Sequence, residues 1–184
     1  MTVFNPSDVW LLPGWQDSDA GHWQSRWQQR WGYQRLAQHD WQRPLRGDWS
    51  ARLQDQLVDA PAPVVLVAHS LGCMLTAWWA AHSPLARSKV RAALLVAPGD
   101  VEQQDLRQQL PGWAPVALQP LPFPSVLVGS QNDPYCTPER AQAFAKAWGS
   151  QWVDAGAAGH INTASGLGDW DVGHALLQNL MKDN

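Results

Sequence analysis

Three residues of this 184-residue chain have the types and the placement to do chemistry together: Ser70, Asp133 and His160. A serine hydroxyl is a poor nucleophile until a base takes its proton, and imidazole is the commonest base. The imidazole needs a carboxylate to fix its tautomer and to stabilise the cation it becomes. Such a set would attack a carbonyl carbon. Ser70 lies in VVLVAHSLGCML, residues 64–75, where an apolar run breaks at His69-Ser70-Leu71-Gly72 and then resumes. A nucleophile on a sharp turn between strand and helix requires small residues two before and two after it. Ala68 and Gly72 meet that requirement, Ala68 with less conformational freedom than glycine. By itself the stretch also fits a polar residue ending a buried strand. Asp133 in GSQNDP and His160 in GAAGHINTASGLG favour chemistry.

An acyl transfer also needs donors for the oxyanion. The Leu71 N–H at a helix start is one expected donor. The Trp15 N–H, just after Pro13-Gly14, is the other. Asp100 is a rival acid, but Asp133 is favoured because it stands one short turn beyond a strand, and Asp100 reads as a helix N-cap. His22, His39 and His82 read as structural, and His174 as structural or exposed. His69 is expected to turn its ring away from Ser70, since neighbours on a turn diverge. A Cys73 nucleophile would need a histidine partner and a polar setting, and its place one turn into an apolar helix argues against both. No metal and no organic cofactor is called for.

These residues need strand ends to hold them. Val9-Trp10-Leu11-Leu12 reads as a first strand closed by Pro13-Gly14. Residues 21–31 read as a helix with Trp23, Trp27 and Trp31 at spacing four, residues 33–37 as a short strand, and residues 48–58 as a helix capped by Asp48. Residues 64–68 are the most strand-like run, followed by a buried helix over 71–81. Strands are predicted at 90–96, 125–128 and 151–154. Helices are predicted at 101–110, at 137–148 with Pro138 in its first turn, and at 169–181. The Pro-rich stretch 111–124 reads as irregular. Apolar strands alternating with helices imply a parallel sheet covered on both faces, a three-layer α/β/α sandwich. Ligands then bind at the carboxyl ends of the strands, where Ser70, Asp133 and His160 all fall.

Bulk properties narrow the classes further. The length suits one domain spanning residues 1–184. The formal net charge is -3 with signs mixed along the chain, so neither a nucleic-acid footprint nor a polybasic membrane patch is evident. Two cysteines make no disulfide framework. MTVFNPSDVW has no charged segment followed by an apolar one, so no signal peptide is expected. No apolar run is long enough for a bilayer. A reducing, cytoplasmic setting is the expectation. The 13 tryptophans are anomalous, and they should divide between core and pocket.

With these residues in hand, the chain resembles the small serine hydrolases known as the RBBP9/YdeN family, in the α/β-hydrolase superfamily. The likeness rests on PGWQDS, GHWQSRW, AHSLGC, GSQNDPYC and GHINTASGLGDW, and covers nearly the whole chain. The chain order Ser, Asp, His is that of α/β-hydrolases. The resemblance implies a compact fold without a cap domain or extra antiparallel strands. It implies a triad of Ser70, Asp133 and His160, and hydrolysis of small esters or amides. Some relatives are described as binding retinoblastoma protein through an L-x-C-x-E segment. Here Cys73 lies in LGCML and Cys136 in PYCTP, so that partner is not carried over.

Two functions therefore compete. The first is a serine hydrolase acting on a small-molecule ester through an acyl-enzyme on Ser70, its site open, with Trp113 or the PGWAP segment at its rim. The second is a catalytically silent protein of the same fold that binds a protein or nucleic acid through the interleaved Trp and Arg of residues 23–52. The plainer reading of that segment is a helix with its tryptophans on the sheet and its arginines toward water.

Overall fold

Strands that are apolar on both sides need cover on both faces, and the chain supplies it. The structure is a computed structural model that describes residues 5–183; Met1 to Phe4, part of the stretch read for a leader, and Asn184 lie outside it. The strands are β1 (Val9–Leu12), β2 (Gln34–Arg35), β3 (Val64–His69), β4 (Val90–Val96), β5 (Ser125–Gly129) and β6 (Gln151–Asp154). They form one sheet in the order β2-β1-β3-β4-β5-β6, with every neighbouring pair parallel. The helices are α1 (Trp23–Trp31), α2 (Arg46–Asp59), α3 (Leu71–His82), α4 (Ala86–Lys89), α5 (Gln104–Gln109), α6 (Pro138–Trp148) and α7 (Asp171–Lys182). Among the described residues no helix is long and apolar enough to cross a membrane.

The period of two along β3 divides the core. Val64, Leu66 and Ala68 join one apolar cluster with α2, α3 and α6, built around Trp49, Leu53, Leu75 and Phe144. Val65 and Val67 join a second cluster with α1 and α7, built around Trp23, Trp27, Trp170 and Leu177. The result is the expected three-layer sandwich. After β1 the chain moves to one edge to form β2, then returns across β1 to form β3. The sheet therefore has its topological switch between β1 and β3, where such folds place ligands.

Local signals explain both ends of α1 and α6. Thr137 caps α6 by accepting from Arg140 N, Pro138 occupies the first turn, and Gly149 closes the helix at φ 72°. His22 caps α1, its Nδ1 accepting from Gln24 N at 3.1 Å. Asp48 does not cap α2. That helix begins two residues earlier after Leu45, and Asp48 stands in its first turn, where its charge suits the helix dipole. The 101–110 helix contracts to α5, and the 33–37 strand to two residues.

The tryptophans go mainly to the core, and their indole N–H groups tie down loops. Trp23 Nε1 donates to Ile161 O at 2.8 Å, Trp27 Nε1 to Asp169 O at 2.6 Å and Trp148 Nε1 to Ala117 O at 2.8 Å. Of the 13 tryptophans only Trp15 lines the large cleft described below. Of the Trp23, Trp27 and Trp31 stripe, the first two rings pack into the core, whereas Trp31 stays 37% exposed, stacked on His174. Trp23 and Trp27 are 1% and 0% exposed, and Arg26 and Arg30 bind Asp169 at 2.5 and 2.8 Å. Neither buried ring is available to stack on a ligand.

Gly72 shows how tightly the switch point closes, because a Cβ there would lie 2.3 Å from Leu12 O. Gly72→Ala should therefore overpack the α3–β1 contact. We expect a loss of about 1–3 kcal/mol in urea denaturation. Unchanged stability would mean that α3 can shift away from β1.

Candidate active site

Ser70 links β3 directly to α3, and its backbone has φ 55° and ψ -118°. Few non-glycine residues hold such a conformation unless the surroundings enforce it. Here Ser70 N donates to Val96 O at 3.0 Å, and Cys73 N donates to Ser70 O at 3.0 Å. The turn throws the Ser70 side chain out at the carboxyl end of β3. No side chain caps α3, so the Leu71 N–H stays unpaired among the described residues. The β1–α1 loop closes against the same turn. A Cβ on Gly14 would lie 2.8 Å from Ser70 Cβ and 3.2 Å from Leu71 N. Trp15 N likewise has no protein partner among the described residues, whereas Gln16 N is taken by Trp41 O at 3.0 Å. Trp15, Ser70 and Leu71 line one cleft of about 690 Å³. Two free amides beside a serine can receive an oxyanion.

His160 reaches Ser70 from the loop after β6. Its Nε2 lies 2.8 Å from Ser70 Oγ, and its Nδ1 lies 2.9 and 2.8 Å from Asp133 Oδ1 and Oδ2. A carboxylate can only accept, so Nδ1 carries the proton and Nε2 accepts from the Ser70 hydroxyl. The Asp133 side chain is 2% exposed, and Tyr135 N donates to its Oδ1 at 2.9 Å. This line can move a proton off Ser70 while Asp133 balances the imidazolium. Asp100 is engaged elsewhere. Its carboxylate receives Glu102 N at 3.1 Å and Arg140 Nε at 3.0 Å.

The acid loop and the histidine loop are stitched together. Asn132 Oδ1 accepts Gly159 N at 2.7 Å, Ser130 Oγ accepts Ala158 N at 3.0 Å, and Gln131 N donates to Gly156 O at 2.8 Å. Ile161, just after the histidine, has φ 47°, an uncommon state for a β-branched residue. It is wholly buried, and Trp23 Nε1 holds its carbonyl.

Several residues of this site escape a sequence reading. The expectation for His69 goes no further than a ring turned away from Ser70, and the residue also lines the cleft. Strand alternation puts its ring on the α1 side, where the histidine loop lies. Its Nε2 is 2.8 Å from His160 O, so the Nε2–H donates there and fixes the tautomer. His22 packs edge-on against His69 with ring centres 4.7 Å apart. Its Nδ1 is an acceptor for Gln24 N, so its Nε2 holds the proton, buried and without a partner among the described residues. Burial drives the His69 pKa well below the usual histidine value, and pushes His22 down to about 4. Both rings are neutral at pH 7. Gln24, wholly buried, donates to Leu12 O and Val67 O and accepts from Ser18 Oγ, joining β1 and β3 to the loop between β1 and α1. The only sequence signal for His22 and Gln24 was the GHWQSRW segment as a whole.

Trp113 is a correction. It is 1% exposed, donates from Nε1 to Pro44 O at 2.9 Å and packs edge-on against Trp49. Its large apolar ring turns inward, and Arg46 binds its carbonyl at 3.0 Å. The 97–124 connection does border the cleft, but through Gly99, Val101, Leu106, Gln109 and Leu110. Cys73 and Cys136 are free and buried, and burial raises both thiol pKa values far from the reactive range. Among the described residues no His, Cys, Asp and Glu group could hold a metal ion.

A family model described as serine hydrolase matches residues 9–179. The chain belongs to the serine hydrolase family. Among solved structures, a protein of Pectobacterium atrosepticum named as a YdeN-like hydrolase is 31% identical, covering 95% of this chain and 90% of its own, at a TM-score of 0.82. The ydeN gene product of B. subtilis is 17% identical over 96% of this chain and 99% of its own, at 0.74. An esterase of Thermogutta terrifontis is 16% identical over 95% and 89%, at 0.65. The first of these places the chain with the YdeN-like hydrolases, and the other two share its fold. No curated protein matches the sequence.

Two expectations follow from the histidines. His69→Ala should lower kcat for an activated ester about 10- to 100-fold with little change in KM, because the His160 loop loses its brace. His69→Gln, which can still donate to His160 O, should recover most of it. Equal rates for wild type and His69→Ala would remove His69 from positioning. The unfolded chain protonates His22 near pH 6.5, but the folded one does so only near pH 4. Stability should be full above pH 6.5 and fall as pH drops toward 4, with His69 acting in the same direction. His22→Asn keeps the cap and should make the urea midpoint less pH-dependent between pH 7 and 4.5. An unchanged slope would assign the titration to other groups.

Proposed function

We propose that this protein hydrolyses small carboxylic esters through an acyl-enzyme on Ser70, in the manner of a carboxylesterase. Ser70 Oγ attacks the ester carbonyl while His160 Nε2 takes its proton. The Leu71 and Trp15 amides receive the oxyanion. As the ester C–O bond breaks, His160 returns the proton to the leaving oxygen, and the acyl group stays on Ser70. Water then enters, gives a proton to His160, and releases the carboxylic acid as Ser70 regains its hydrogen. Asp133 holds the His160 tautomer throughout. Nothing in this sequence of steps requires a cofactor.

The observation that carries this reading is the unbroken hydrogen-bonded line from Ser70 Oγ through His160 to Asp133. Membership of the serine hydrolase family supports it, as does the likeness in fold to proteins named as esterases. The open cleft, with only α5 in the connection where a cap would be inserted, supports a small or exposed ester. The two buried thiols suit a reducing, cytoplasmic setting. The burial of Trp23 and Trp27 favours the hydrolase over the competing role as a silent binding module, to which it leaves Trp31 of that stripe exposed.

A fluorophosphonate probe should label the wild type and leave Ser70→Ala unlabelled; equal labelling of the two would move the nucleophile elsewhere. His160→Ala should lose nearly all turnover while staying folded. Asp133→Asn should lower kcat about 10³- to 10⁴-fold, far more than Asp100→Asn. The opposite ranking would transfer the acid to Asp100.

A further inference from the structure

The cleft has two chemically different walls, and His160 determines which half of an ester meets each. One wall begins at Gly99, where an added Cβ would lie 3.3 Å from Ser70 Oγ, and continues into Val101, Leu106 and Leu110, with Gln109 the one polar side chain among them. The other begins at His160 itself and continues into Asn162 and Thr163. Thr163 Oγ1 donates at 2.7 Å to Asp19 Oδ1, which comes from the β1–α1 loop. The same oxygen also receives Gly21 N at 2.9 Å and His22 N at 3.1 Å. Asp19 Oδ2 has no partner among the described residues. The Thr163 hydrogen bond, with those from the two amides, lowers the Asp19 pKa, so the carboxylate is charged at neutral pH. The charge of Asp17, also on this wall, is matched by Arg35 at 2.8 Å. No lysine or arginine lines the cleft among the described residues.

In an ester bound for attack by Ser70, the leaving oxygen must lie against His160 Nε2, because it receives its proton there. The leaving group then continues along Asn162, Thr163 and Asp19. The acyl group falls to the other side, along Val101, Leu106 and Leu110. We propose that the substrates are esters joining a compact apolar acid to a hydrophilic alcohol, neutral or cationic. Asp19 senses the charge of the alcohol and disfavours an anionic one. This inference rests on the hydrolase reading of Ser70 and deepens it by assigning the two halves of the substrate.

The test uses the full chain and four esters, three of butyric acid and one of glyceric acid, each rate normalised to alkaline hydrolysis. Glycerol monobutyrate and its isomer butyl glycerate carry the same atoms with acid and alcohol polarity exchanged. The first should have the higher kcat/KM; a preference for the second would reverse the assignment of the walls. Butyrylcholine should exceed O-butyrylglycolate in kcat/KM by about 10-fold at low ionic strength. The ratio should shrink in 1 M salt, as screening of an exposed charge requires. Asp19→Asn should bring the ratio toward one, whatever its absolute rate. If Asp19→Asn does not fold, the salt dependence of the wild-type ratio decides alone. Esters cleaved with no difference between choline and glycolate would overturn the role of Asp19 and leave the hydrolase reading intact. No ester cleaved and no fluorophosphonate label on Ser70 would overturn both.

Discussion

The backbone at Ser70 must leave β3 and enter α3 within one residue, at φ 55° and ψ -118°. A non-glycine residue in such a region is disfavoured by about 1–3 kcal/mol, and it persists only where its surroundings leave no alternative. Parallel pairing supplies those surroundings. β1, β3 and β4 run in register, so Leu12, Ala68 and Leu95 stand side by side and their carboxyl ends meet at one place. Gly72 lets α3 touch Leu12 O, Gly14 lets the next loop touch Ser70 Cβ, and Val96 O holds the Ser70 amide. The same turn leaves α3 without a side-chain cap. The unpaired amide beside Ser70 is thus a consequence of the turn that exposes the serine.

The histidine side of the site depends on a different device. A loop rich in glycine can adopt many conformations, and its geometry must come from outside. His160 is held by Asp133 at its ring and by His69 at its carbonyl. Trp23 holds the following carbonyl, and Asn132 holds the preceding amide. This gives a physical role to the abundance of tryptophan. An indole fills core volume and carries one N–H that must find an acceptor when buried. For Trp23, Trp27, Trp113 and Trp148 those acceptors are loop carbonyls distant in sequence, as in Trp23 to Ile161 and Trp113 to Pro44. The core and the loops are fixed by the same side chains.

Much of the architecture was legible because period-two and period-four patterns are local. β1, β3, β4, β5 and β6 fall where their apolar runs are, and Pro138 and Gly149 bound α6 as their backbone preferences require. Asp48 misled because a good capping residue also suits the first turn, and α2 began earlier. Trp113 misled because the Pro-rich 111–124 stretch reads as irregular and suited to the rim of the site, whereas burying an indole favoured folding it inward against Trp49. His69 was set aside on the geometry of adjacent residues alone. Its partner lies 91 positions away, and no spacing rule reaches that far.

The sequence by itself determined the chemistry on offer: a serine at a strand-to-helix turn between small residues, with an aspartate and a histidine after later strands. Residue type and local backbone preference suffice for that, since each signal spans only a few positions. The tertiary structure alone decided which groups meet. It put Asp133 rather than Asp100 on His160, because Arg140 and the Glu102 amide already occupy Asp100. It gave His22, His69 and Gln24 their places, and it brought Thr163 to Asp19 at one side of the cleft. These are contacts between loops at the ends of different strands. Their distances are set by strand order and helix packing, which depend on the whole chain at once.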